Sequence, residues 1–234
     1  QKIINNTNII NNLNILLKDI YNYWFLQFNF PNKKRMSYKS NSGKMKWNKK
    51  FKGEIPEDWQ FTTIGKCVKH INTGLNPRDN FKLGKGNIKY VTVKNLTTSG
   101  SIDFNDCDLI DENARKIIHN RSNVSKGDIL FSSIAPLGRC VIVKETPKDW
   151  DINESVFCIS PNLDSVSSEY LYSYFMSDYF IKKAEYSSTG SIFSGIRINT
   201  LKNMPILIPD KKTLKQFTDK VSPFFTMKYK KEKE

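Results

Sequence analysis

The sequence predicts a mixed α/β (α+β) fold: one globular domain with a twisted mixed or antiparallel β-sheet and flanking helices. Three observations carry this. Short runs of β-formers (Ile129-Leu130-Phe131, Cys140-Val141-Ile142-Val143 and Val156-Phe157-Cys158-Ile159) are bounded by Gly, Pro, Asp and Ser, as strands are. Stretches at both ends and near residue 170 repeat apolar residues at intervals of three and four, the period of a helix face. The 234 residues suffice for one sizeable domain with appendages.

Residues 1–28 place Ile3, Ile10, Leu13, Leu17, Ile20 and Trp24 at helical spacing, with asparagines on the other face. Asparagine is a mediocre helix former, so this helix needs a partner to lie against. No cap precedes it, and it reads as the second half of a longer helix. Pro31 should end it at or before Phe30. The aromatics from Tyr23 to Phe30 read as packing onto the domain that follows, with base stacking as the alternative.

Residues 29–53 read as a basic linker. Lys33 to Lys52 contains Lys33, Lys34, Arg35, Lys39, Lys44, Lys46, Lys49, Lys50 and Lys52 and no acid. Such a run is either a solvated connector or a track for phosphates.

The domain spans 54–212 and opens at Gly53-Glu54-Ile55-Pro56-Glu57-Asp58-Trp59. Arg78, Lys82, Lys85 and Lys89 decorate a loop around Leu83-Gly84-Lys85-Gly86. That loop lacks the Gly-Lys-Ser/Thr ending of a nucleotide-binding P-loop. Ile88–Val93 alternates as a strand does, and Lys94 and Asn95 stand at its rigid end. Asp103–Glu112 gathers carboxylates that form a solvated face or, alternatively, hold Mg²⁺. Ser132–Leu137 is a polar break between two strands, with Ser132, Ser133 and Arg139 near its ends. Hydroxyls beside an arginine on a rigid base suit phosphate or base-edge contact; an ordinary hairpin tip is the other reading. Ser168 can cap a helix over Glu169–Ala184. Thr189–Arg197 is a Gly/Ser loop carrying Ser191 and Ser194 and ending in Arg197. Leu201–Pro209 reads as a short strand, and a last helix begins at Thr213 and fills 213–234.

Lys and Arg number 37 against 23 Asp and Glu, a formal charge of +14. That surplus fits a polyanionic partner, most simply nucleic acid, although a composition rich in Lys, Asn and Ile also raises the lysine count by itself. The four cysteines contain no Cys-x-x-Cys pair, and neither His70 nor His119 sits at a zinc-like interval from one. They read as small apolar residues in a reducing compartment. No apolar run approaches the roughly 20 residues of a membrane span, and no signal-peptide core is present. The expected location is cytoplasmic.

In order, Tyr21–Pro31, Gly43–Met45, Ile55–Trp59, Lys126–Ser132, Pro136–Arg139, Thr189–Ser191 and Ile208–Lys211 resemble the specificity subunits of type I restriction–modification systems. The resemblance implies a target recognition domain that reads one half of a split double-stranded DNA target. It also implies spacer-type coiled-coil helices before and after the domain, which dock adenine-methylating modification subunits. A restriction subunit completes the full complex. S-adenosylmethionine, ATP and Mg²⁺ then belong to partner subunits, with no cofactor, metal or catalytic residue in this chain. The sequence also lacks an Asn/Asp-Pro-Pro-Tyr/Phe methylation motif and a P-loop. The family's usual subunit has two recognition domains; this chain shows one, so it reads as a half-subunit, a fragment or a recombination cassette. A homodimer, or pairing with a second half-subunit, would restore two.

The expected DNA-binding residues are Arg78, Lys82, Lys85, Lys89, Lys94, Asn95, Ser132, Ser133, Arg139, Ser191, Ser194 and Arg197. Arg139 and Arg197 are candidates for guanine O6/N7, each arginine with a structural hydrogen bond as its alternative, and Asn95 could pair similarly with adenine. Two further classes compete: a nuclease or methyltransferase piece acting on DNA, and a helical adaptor or inert cassette that binds no DNA.

Overall fold

The computed structural model describes residues 2–188 and 195–233. Helix α1 (Lys2–Tyr21) runs into a π-helical turn, Asn22–Leu26. Phe28 then takes a left-handed conformation, φ +59°, which breaks the helix just ahead of Pro31. Strands β1 (Met45–Asn48), β2 (Gly53–Pro56), β3 (Gln60–Thr63), β4 (Val68–Thr73), β5 (Ile88–Val91) and β6 (Asp108–Ile110) precede α2 (Glu112–Ser122). Then come β7 (Ile129–Ser132), β8 (Cys140–Ile142), β9 (Trp150–Ile152), β10 (Val156–Pro161), α3 (Ser168–Phe175) and α4 (Asp178–Ser188). The chain closes with α5 (Ile198–Asn203), β11 (Pro205–Ile208) and α6 (Lys211–Lys233).

A four-stranded antiparallel sheet, in the order β4-β10-β7-β8, forms the centre. A three-stranded sheet, β6-β5-β9, is mixed, because β5 and β9 run parallel. Two further pairs, β1-β2 and β3-β11, are antiparallel. Alternation along β7 sends successive side chains to opposite faces. Ile129 and Phe131 face a core shared with α1, α3, α4 and α6, whereas Leu130 faces one shared with β5 and β9. This two-sided burial makes β7 a continuous apolar run.

Several sequence expectations shift. The stretch read as a linker contains β1 and the turn that leads into β2. Its lysine-rich turn is shaped by Asn48, whose Oδ1 accepts the Lys50 and Phe51 amides at 3.0 and 2.9 Å. The cap of α3 is Ser167, which accepts from the Tyr170 amide, while the Ser168 hydroxyl donates to the Gly127 carbonyl. The helix expected over Glu169–Ala184 is two helices. Ser177 Oγ accepts the Phe180 amide and starts the second. Leu201 lies on α5 rather than on a strand. Asp210 accepts from the amides of Lys212 and Thr213 and so starts α6 two residues ahead of Thr213. Helix α2, unforeseen, is capped by Asp111, which accepts the Ala114 amide at 2.8 Å.

Candidate nucleic-acid interface

Strand register defines one end of the central sheet. Thr73 pairs with Phe157, Ser132 with Val156 and Phe131 with Cys140. Strands β4 and β7 therefore end where β8 and β10 begin. The connections leaving this end are tied together. Gly74 donates to the Asn153 carbonyl at 3.1 Å and Ser133 to the Ser155 carbonyl at 3.0 Å. Asn153 donates to the Val91 carbonyl at 2.9 Å and Ile196 to the Ser133 carbonyl at 2.8 Å. Ile134 bridges Gly195. Gly74 is required here: a Cβ would collide with the Ile152 carbonyl. The β4–β5, β7–β8 and β9–β10 connections, the residues just ahead of α5 and the end of β5 thus share one edge.

The twelve expected contact residues separate into groups at this edge. Arg78, Lys82, Lys85 and Arg197 are exposed and form no ion pair among the described residues. Lys94 is also exposed and lies 3.4 Å from Asp106. Lys89 is half-buried, donates to the Phe104 carbonyl at 2.9 Å and lies against the Phe104 ring. Ser191 and Ser194 lie outside the described residues.

The other four are structural in this conformation. Asn95 is 1% exposed. Its Oδ1 accepts from the Thr92 amide and hydroxyl, and its Nδ2 donates to the carbonyls of Asp103 and Asp106. A carboxamide with both ends engaged offers no free edge to adenine in this conformation. Ser132 Oγ donates to the Pro136 carbonyl at 2.7 Å and accepts the Arg139 amide, so it holds the loop closed. Ser133 Oγ donates to the Ser155 carbonyl at 2.7 Å. Arg139 is half-buried, with Nη1 donating to the Leu96 carbonyl at 2.9 Å and Nε buried without a hydrogen-bond partner among the described residues. Its guanidinium ties the β7–β8 loop to the turn after β5, and the free fork needed for guanine is absent.

One residue at this edge was not foreseen. Arg121, exposed in the last turn of α2, donates through Nε to Thr73 Oγ1 at 3.3 Å, at the end of β4. Asp111-Glu112 before an Ala-Arg-Lys-Ile-Ile run was the available signal: a capping acid with a second acid in the first turn.

Beside this edge, Ser122, His119 and Asp151 meet beneath α2. Ser122 Oγ donates to Asp151 Oδ1 at 2.6 Å, and His119 Nδ1 lies 3.0 Å from Asp151 Oδ2. Burial raises the Asp151 carboxyl above the usual range, opposed by these bonds and the Ile152 amide. The order of contacts differs from a hydrolytic triad, in which the imidazole accepts the serine proton. Here the serine spends its proton on the carboxylate, so the cluster anchors α2 to β9. Burial likewise pushes the Cys67 thiol up to about 11 and raises Cys140 and Cys158 well above the ordinary thiol range, which leaves them poor nucleophiles. Among the described residues no group of three or more His, Cys, Asp or Glu is arranged to hold a metal. None of their helices is long and apolar enough to cross a membrane. What the edge offers is exposed guanidinium and ammonium groups on loops fixed by a sheet.

The family model described as the type I restriction modification DNA specificity domain matches residues 56–234. The specificity subunit of the type I restriction enzyme MjaIX of Methanocaldococcus jannaschii is 32% identical over 172 residues, covering 71% of this chain and 38% of that protein. The HindI specificity subunit of Haemophilus influenzae is 30% identical over 105 residues, 43% of this chain and 22% of that protein. The matched segments therefore cover well under half the length of these curated relatives. The crystal structure of the HsdS subunit from Thermoanaerobacter tengcongensis superposes with a TM-score of 0.54 at 13% identity, covering 99% of this chain and 47% of that one. At that identity it speaks for the fold alone. The matched model, the curated relatives and the shared fold together place this chain in the type I restriction–modification specificity family.

Proposed function

We propose that this chain is a non-catalytic DNA-recognition module that reads one half of a split target. The observation that carries the reading is the single sheet edge where Arg78 and Arg197, exposed and without an ion pair among the described residues, stand on mutually bonded loops. Lys82 and Lys85 extend the same β4–β5 connection and supply phosphate contacts, which position a duplex without reading it. Arg197 and Arg78 are the base readers: a guanidinium fork matches guanine O6/N7 in the major groove. Asn95, Ser132 and Arg139 shape the loops that present them.

Helices α1 and α6 pack side by side and leave Ile4, Ile15, Leu16 and Met227 exposed. This face suits docking of modification subunits, or pairing with a second copy or another half-subunit. S-adenosylmethionine, and the ATP and Mg²⁺ of restriction, are then held by partner subunits.

The test is methylation of a random-sequence duplex library by this chain combined with its matching modification subunit and S-adenosylmethionine. Adenine methylation at one split motif is expected, palindromic if two copies pair. No motif, with the modification subunit active beside another specificity subunit, would refute the reading. Within that assay Arg197→Ala should relax one base position, at a cost of roughly 1–3 kcal/mol. Arg139→Ala should lower the stability of the chain and leave the motif unchanged. A relaxed motif at unchanged stability would return Arg139 to the base readers.

A further inference from the structure

We infer that the β1-β2 hairpin is a second DNA contact, independent of sequence, that grips phosphates outside the base-reading edge. The inference rests on the DNA-binding reading above and adds a separate site to it.

Three features of the hairpin point to a polyanion. Its turn carries Lys49, Lys50 and Lys52, all exposed and without an ion pair among the described residues. Lys46, by contrast, is spent on the Glu57 carbonyl, and Lys44 lies 4.0 Å from the Glu57 carboxylate. The turn is also set in place. Asn48 bonds two of its amides, Lys52 adopts φ +56°, and Phe51 packs edge-on against Phe61 of β3 at 5.7 Å between ring centres. Three lysines are thereby carried on one short turn whose backbone is fixed to the core. Finally, Trp47 is 67% exposed, whereas Trp24, Trp59 and Trp150 are buried. Its cross-strand neighbour is the exposed Glu54, so no apolar partner covers it.

An exposed indole beside unpaired lysines fits a nucleic-acid backbone, where the ring lies on sugar and the ammonium groups meet phosphates. A protein partner fits less well, since lysine is depleted from protein–protein interfaces while the phosphate backbone rewards it.

The experiment compares the assembled specificity–modification complex with a Lys49→Ala/Lys50→Ala/Lys52→Ala variant on two duplexes, one bearing the methylated motif and one scrambled. Affinity is measured from 50 to 200 mM KCl. Each phosphate contact contributes about 0.9 to the log–log salt slope, so three lysines account for about 2.7. The wild-type complex should then lose about 40-fold more affinity across that range than the variant. The loss should be equal on both duplexes, with the motif unchanged. Trp47 supplies a second reading: as the exposed tryptophan among four, it should dominate acrylamide quenching, and either duplex should shield it. Unchanged slopes with no shielding would overturn the inference. So would a slope that persists while the variant fails to assemble with the modification subunit, since the hairpin would then face an acidic protein surface. If the wild-type complex showed no preference for the motif duplex but kept the lysine-dependent slope, base reading would fail and the hairpin contact would stand.

Discussion

Replacing Phe25 by alanine should destabilise the chain by about 3–5 kcal/mol, the usual cost of removing a fully buried aromatic side chain. That is a large share of the roughly 5–15 kcal/mol that holds a domain folded. Phe25 is 1% exposed, and its ring centre lies 4.8 Å from those of both Tyr170 and Phe217 and 5.6 Å from that of Trp59. These belong respectively to α3, α6 and the entry to β3, so one side chain joins the end of α1 to three other parts of the fold. Urea unfolding should show a much lower midpoint at a similar slope. A loss below about 1 kcal/mol would mean that α1 is not part of the cooperative unit.

The second large effect is expected at Lys228, where α6 crosses the recognition domain. Lys228 is 4% exposed. Its Nζ donates to Asn14 Oδ1 of α1 at 2.6 Å and lies 3.2 Å from the Tyr172 hydroxyl and near the rings of Tyr172 and Phe225. Burial lowers its pKa from 10.5 to about 8, with Glu232 opposing and Lys144 reinforcing the effect. The folded state therefore releases this proton before the unfolded state does. Below about pH 8 both states hold the proton and the folded state carries the full penalty. As pH rises from about 8 to 10.5 the unfolded state binds more protons, and stability rises. The increment approaches about 3 kcal/mol, because each tenfold difference in proton affinity between the two states is worth about 1.4 kcal/mol. It should appear as a difference: wild type gains stability over this window relative to Lys228→Met, which has nothing to titrate there. Parallel pH profiles for the two proteins would show that the ammonium is solvated in the folded state.

The same junction forms a half-open pocket of about 610 Å³ between the helix pair and the domain, lined by Ile10, Ser101, Trp150, Tyr172, Phe225 and Lys228. Gly100, at φ +85°, lets its loop approach both the Tyr172 hydroxyl and Lys228, where a Cβ would clash. The Ser99-Gly100-Ser101 turn is thus visible as a turn in sequence, but its role at the α6 crossing depends on a residue 128 positions later.

Local pattern decided a good deal. The β7 and β8 strands, the break between them, the end of α1 before Pro31 and the inward residues Phe217, Val221 and Phe225 of α6 all follow from periodicity, turn residues and proline sterics. These rules act between near neighbours, so the sequence displays them directly.

Which of those side chains face outward was decided only by tertiary structure. Asn95, Ser132, Ser133 and Arg139 are polar residues in loops, and composition alone makes them contact residues. Their carbonyl partners, Asp106, Pro136, Ser155 and Leu96, become available through chain folding and, for Arg139, across 43 residues. A buried polar group must find such a partner or cost roughly 1–3 kcal/mol, so these four turn inward to satisfy the loops. Arg78, Lys82, Lys85 and Arg197 meet no such demand and remain in solvent. The lysine-rich stretch shows the converse. Its composition reads as a linker, yet Phe51 packs against Phe61, and β1 pairs with a strand whose Ile55 is fully buried, which fastens the stretch to the core. Charge pattern is a property of the chain, but the surface on which charge is displayed is set by what the apolar residues between the charges bury.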